Sequence, residues 1–91
     1  MIFITTYKVK PHLTKEESKE LMAIFAETGP PAGTKAHYVA ADNSHGVVIS
    51  EADNAAEGYR NILNYTQWIE YHTHVMLTID EAVPQIMDAL A

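Results

Sequence analysis

Apolar and polar positions alternate most regularly from Tyr71 to Asp80. Tyr71, Thr73, Val75, Leu77 and Ile79 point to one side of an extended chain, and His72, His74, Met76 and Thr78 to the other, so the stretch predicts a strand with two differently used faces. One face is ordinary core. The other sets two imidazoles among apolar neighbours, an unusual placement for titratable groups. Residues Ile2 to Val9 predict another strand, apolar on both sides, with Ile2, Ile4 and Thr6 opposed to Phe3, Thr5, Tyr7 and Val9. Pro11 ends it.

Thr14 followed by Glu17 has the spacing of a capping box and starts a helix that runs to about Glu27. Its stripe is Leu21, Ile24 and Phe25 with Met22 at the margin, and Lys15, Glu16, Lys19 and Glu20 form the solvated side. The sequence from Thr28 to Gly33, rich in glycine and proline, breaks that helix. Thr34 to Asp42 predicts a strand with Ala36, Tyr38 and Ala40 opposed to His37, Val39 and Ala41. A turn from Asn43 to Gly46 returns the chain as Val47 to Ala52, forming a hairpin. A second helix is capped by Asp53 or Asn54, the Asn54 to Glu57 spacing again fitting a capping box. Ala55, Tyr59, Ile62, Leu63, Thr66 and Ile69 form its buried side, and it ends near Trp68. After the histidine-bearing strand, Pro84 to Leu90 predicts a short amphipathic helix, with Pro84 in the first turn and Ile86, Met87 and Leu90 facing inward.

The order describes an α+β fold: a ferredoxin-like βαββαβ sandwich with an extra C-terminal helix, one domain over residues 1–91, with both main helices on one face of an antiparallel sheet. The other face is then bare. Phe3, Tyr7, Val39 and Met76 placed on that face are too apolar for open water, so two copies are expected to pack sheet to sheet and enclose a cavity.

Composition narrows the function classes. The formal net charge of -6 opposes nucleic acid, whose phosphates call for a basic footprint, and gives no attraction to anionic membrane surfaces. With no cysteine, thiolate metal sites, iron–sulfur clusters and cysteine nucleophiles are excluded. The apolar run at the N-terminus is too short for a signal peptide or membrane span, which makes the cytoplasm the expected location. A chain of 91 residues buries a modest fraction of its surface, which again favours a partner subunit.

Several short motifs carry a resemblance: ETGPPAG after the first helix, AADNSHGVVISEAD through the hairpin, then YR, a tryptophan, and IDEA after the last strand. Over roughly Met1 to Ala82 the chain resembles a family of small uncharacterised proteins in the dimeric α/β-barrel class. The resemblance implies a ferredoxin-like homodimer with no established reaction. The wider class includes cofactor-independent monooxygenases, muconolactone-isomerase-like and dehydratase-like enzymes, haem-degrading enzymes and proteins that bind small molecules. The chain departs from the family pattern at His72 and His74, where an acidic residue and a threonine are expected.

His72 and His74 stand on one side of a strand about 6 to 7 Å apart, a spacing that metal ligands use. A third ligand is lacking. In a ferredoxin-like sheet His37 lies at the opposite edge, roughly 14 Å away, so a metal would need Glu51, Glu70 or a partner residue, and none is expected. The alternative chemistry is proton transfer by His72 and His74, with the Tyr7 hydroxyl orienting a ligand from the neighbouring strand. A ligand in the cavity is expected to meet His37, Tyr38, Ser50, Glu51, Trp68 and Met76. Glu51 shares a face with Val47 and Ile49, and Ser50 with Val48, but the sequence does not decide which face lines the cavity. Tyr59 belongs to the core stripe, and His12 and His45 are solvated. No phosphate cradle, nucleophile elbow or paired catalytic carboxylates are present.

Two readings follow. The preferred one is a homodimer that binds a small hydrophobic molecule in a cavity on the open sheet face, with no cofactor. The other is a cofactor-independent monooxygenase, isomerase or lyase using histidine acid–base chemistry.

Overall fold

A computed structural model describes residues 1–91, and its elements are organised around one strand. This is β1 (Ile2–Val9), whose β-branched and aromatic residues favour a pleated chain covered on both sides. It is followed by α1 (Lys15–Thr28), β2 (Thr34–Val39), β3 (His45–Glu51), α2 (Ala56–Ile62), β4 (Ile69–Met76) and α3 (Ile79–Leu90). The sheet order is β2-β3-β1-β4, with every pair antiparallel. The molecule is therefore α+β, with the βαββαβ order and strand arrangement of a ferredoxin-like fold and one added helix. No helix is long and apolar enough to cross a membrane.

Pairing register sorts the side chains into two sets. Phe3, Thr5 and Tyr7 lie opposite Ser50, Val48 and Gly46 on one side and Val75, Thr73 and Tyr71 on the other. Ile2, Ile4 and Thr6 lie opposite Glu51, Ile49 and Val47, and Met76, His74 and His72. Because side chains alternate across the sheet, these are its two faces. The first set shares a cavity with Leu21 and Phe25 of α1 and Tyr59 and Ile62 of α2, so this is the face the helices cover. Phe3, Tyr7 and Val39 thus lie on the covered face, which corrects their expected placement on the bare one. Met76 does lie on the bare face.

α1 begins as its sequence predicts. The Glu17 N–H donates to Thr14 Oγ1 at 3.0 Å, and the Thr14 N–H donates to Glu17 Oε1 at 3.3 Å. Gly29 ends it with φ 67°, a conformation that costs a glycine little, and donates its N–H to the Phe25 carbonyl. The Thr28 hydroxyl donates to the Ile24 carbonyl, and the Tyr65 hydroxyl donates to Thr28 at 2.8 Å, tying the end of α1 to the turns after α2.

Several element boundaries differ from expectation: β2 stops at Val39 rather than Asp42, and β3 already begins at His45, inside the expected turn. α2 stops at Ile62, and the chain continues to Trp68 through turns closed by three-residue-spaced bonds such as Tyr65 N–H to Ile62 O. Asn61, Asn64 and Thr66 offer the backbone competing local bonds, which weakens helix there. The Asn54–Glu57 capping box does not form; Asn54 Oδ1 instead accepts from the Ala56 N–H. β4 ends at Met76 because Thr78 caps α3 and pairs reciprocally with Glu81. Pro84 consequently sits inside α3, beyond its first turn, and leaves the Asp80 carbonyl without its helical donor.

The layers are loosely filled. Five residues are buried: Phe3, Tyr7, Tyr65 and Trp68 together with Gly46. The element pairs in close backbone contact are three strand pairs, and the helices stand further off. The accessible surface is 6851 Å², against roughly 5,300 Å² for a compact monomer of this mass. The radius of gyration is 16.0 Å, where roughly 12 Å is expected for this length.

Two outcomes follow from the α1 cap. Thr14→Ala is expected to lower the unfolding free energy in urea by about 1 kcal/mol. The Thr14 N–H holds the Glu17 carboxyl below its ordinary value of 4.5, and Lys10 nearby acts in the same direction. A carboxylate with a depressed folded pKa stabilises above its unfolded pKa and loses that contribution as pH falls through the folded one. The stability advantage of the native chain over Glu17→Gln should therefore be present at pH 7 and vanish as pH drops below 4.5.

Candidate functional site

The cavity between the sheet and the first two helices has a volume of about 630 Å³. Its floor is the covered face of β1, β3, β4 and β2, and its walls come from Leu21, Phe25, Tyr59 and Ile62. Most of this surface is aliphatic or aromatic. Thr5 and Thr73 lie directly opposite each other on the floor and satisfy one another through a 2.9 Å hydroxyl bond.

The most distinctive polar feature is the pair formed by Tyr7 and His37. The Tyr7 hydroxyl lies 2.6 Å from His37 Nε2 and donates to it when the imidazole carries its proton on Nδ1. The rings meet edge to face at 5.6 Å, and Tyr71 lies 6.0 Å from Tyr7 on the other side. Burial raises the Tyr7 pKa above 10.0, which keeps the phenol neutral and able to donate. Burial also pushes the Tyr71 hydroxyl up, helped by Tyr65 and Tyr7 beside it.

Backbone placement explains how this pair forms. Tyr7 faces Gly46 across the β1–β3 ladder, and a Cβ on Gly46 would collide with the Tyr7 ring. Glycine lets the ring lie flat over the neighbouring strand and extend toward β2. His37 lies opposite Val48 on the same face, so its imidazole meets the Tyr7 hydroxyl above β3.

The structure separates the residues expected to work together. Tyr7 points into the cavity, while His72 and His74 project from the opposite face, so Tyr7 does not orient a ligand toward them within one subunit. His72 is exposed and its Nε2 lies 3.3 Å from Glu70 Oε1, a surface contact that contributes little in water. His37 and Ser50 line the cavity under the helices, on the face opposite to the sheet-to-sheet cavity in which they were expected. Tyr38, Glu51 and Met76 belong to the open face, Tyr38 with 63% of its surface exposed. Trp68 is buried at the end of the turns before β4, its Nε1 without a hydrogen-bond partner, and it does not line the cavity. His37 and the histidines of β4 lie at opposite sheet edges, as the topology requires, and no cluster of three metal-ligating side chains is present. The Tyr7–His37 pair was not foreseen. A glycine opposite an aromatic residue in a strand was the available signal.

Residues 1–90 match the family described as Domain of unknown function (DUF3303). The chain belongs to this family. The DUF3303 match takes in all three helices, α3 included. No match was found to a curated protein or to a solved structure.

For this DUF3303 domain the position of Gly46 gives a sharp test. Gly46→Ala is expected to displace the Tyr7 ring, cost about 1–3 kcal/mol of stability as an overpacked site, and break the bond to His37. Urea denaturation reads the first effect. The second appears as a changed His37 ring resonance in NMR spectra, with the resonances of His72 and His74 unmoved.

Proposed function

We propose that this domain is a homodimeric binding protein for a small hydrophobic molecule carrying one hydrogen-bonding group, held between the sheet and helices α1 and α2. The observation that carries the reading is the Tyr7–His37 pair in a mostly apolar cavity. Ligand sites commonly enclose about 300–1,000 Å³, are mostly apolar, and use a few placed polar groups to fix orientation. A volume of about 630 Å³ with a tyrosine hydroxyl bonded to an imidazole matches that description. A carbonyl would accept from the Tyr7 hydroxyl when His37 carries its proton on Nε2 and donates to Tyr7, and a phenol would donate to the Tyr7 oxygen when Tyr7 donates to Nε2, with the hydrocarbon body against Phe3, Phe25 and Tyr71.

The homodimer part of the proposal is supported by surface area. The chain exposes about 1,500 Å² more than a compact monomer of its mass, and a stable interface covers roughly 800 Å² on each partner. Ile2, Ile4, Val47, Ile49 and Met76 make the open face apolar enough to supply such an interface.

A second reading, a cofactor-independent monooxygenase, isomerase or lyase, is favoured by the short contact between Tyr7 and His37. A neutral phenol bonded to an imidazole can pass a proton to or from a bound carbonyl. In this reading His37, rather than His72 or His74, partners Tyr7.

A panel of hydrophobic ketones, phenols and hydrocarbons, titrated with the domain and followed by NMR, tests the proposal. Ketones and phenols should shift the amides of Tyr7, His37, Val48 and Tyr71 and leave His72 and His74 unmoved. Tyr7→Phe should weaken their binding roughly five-fold, the value of one lost hydrogen bond, without weakening hydrocarbon binding. Absence of binding across the panel, or shifts confined to His72 and His74, would contradict the site. Conversion of a bound ketone that stops in Tyr7→Phe would decide for the enzyme.

A further inference from the structure

We infer that α3 is an arm that leaves its own subunit and seats its apolar stripe on the open sheet face of a second copy. This rests on the homodimer proposed above and states how its interface is built.

The helix is made to be buried. Ile79, Val83, Ile86, Met87 and Leu90 recur at helical spacing and fall along one narrow stripe. Its start is fixed by the Thr78–Glu81 capping box, with Thr78 Oγ1 3.1 Å from the Glu81 nitrogen. Yet the stripe finds no cover in its own subunit: Ile79 is 71% exposed and Leu90 77%. A helix of twelve residues containing an interior proline does not hold in water by propensity alone; it needs an apolar surface to lie against.

The same subunit does not provide that surface. Only Leu77 and Thr78 join β4 to α3, and the molecule extends over 57 Å in its longest direction but 18 Å in its shortest. At about 1.5 Å per residue α3 is roughly 18 Å long, enough to reach across much of a neighbouring sheet. The family match runs to residue 90, so α3 is part of the domain rather than a tail beyond it.

The open face of a second copy offers what the stripe lacks. It presents Ile4, Val47 and Ile49 in three adjoining positions, with Met76 leading directly into α3 of that copy. Exchange of the two arms therefore makes one continuous apolar surface from the sheet and the helix, and the two-fold relation closes the assembly at two.

The chain has no cysteine, so a single introduced thiol can be labelled cleanly. Leu90→Cys carrying a nitroxide is refolded from urea with an equal amount of the ¹⁵N-labelled native chain, and native mass spectrometry identifies the mixed dimer. The expected result is that the amide signals of Ile4, Ile49 and His74 in the ¹⁵N-labelled copy fall to about half, because the other half of those copies pair with one another, and recover when ascorbate reduces the label. Mixed dimers with those signals intact would overturn the arm and leave the homodimer standing. Absence of any dimer would remove both. Should Leu90→Cys fail to fold, the same label at Gln85→Cys, on the polar side of α3, makes the same measurement.

Discussion

The hydrogen bonding of β1 on both edges is the constraint on which the remaining structure depends. A strand paired with β3 and β4 at once can place its side chains nowhere but above and below the sheet, so its apolar residues create two surfaces that both need cover. The first two helices supply cover for one surface, over Phe3, Tyr7 and Val48. The other, with Ile2, Ile4 and Ile49, has no helix of its own subunit over it. The small buried core and the large accessible area are the two consequences of that division.

The covered side owes its chemistry to one close approach. Gly46 lets the Tyr7 ring cross β3 and reach His37, and the helices standing off the sheet leave a cavity around the pair. An apolar surround keeps the phenol protonated, so Tyr7 meets the imidazole as an uncharged partner. The histidines of β4, by contrast, stand exposed on the other face, His72 beside Glu70, and have no enclosing wall in the single subunit.

Much of the architecture was legible in the sequence because its signals are local. The alternation of β1 and β4, the Thr14–Glu17 cap and the hairpin around Asn43 each specify their own element, and their order leaves few topologies. Two things were not legible. Which face of β1 the helices cover is set by how the crossovers pack, and both candidate faces are apolar, so alternation alone could not choose between Tyr7 and Ile4. Thr78 fitted the alternation of β4 and hid the start of α3, although Glu81 three residues later was the signature of a cap. The separation of Tyr7 from His72 and His74 follows from the first of these. A pair two strands apart, such as Tyr7 and His37, could be found only by following register across Gly46.

The central claim is that one copy of this chain cannot cover both surfaces of its sheet, so that the folded unit is two chains. Sedimentation equilibrium at micromolar concentration tests it most directly. The account requires a single species of twice the 10.1 kDa chain mass. A folded species of one chain mass that unfolds cooperatively at the same concentration would contradict it.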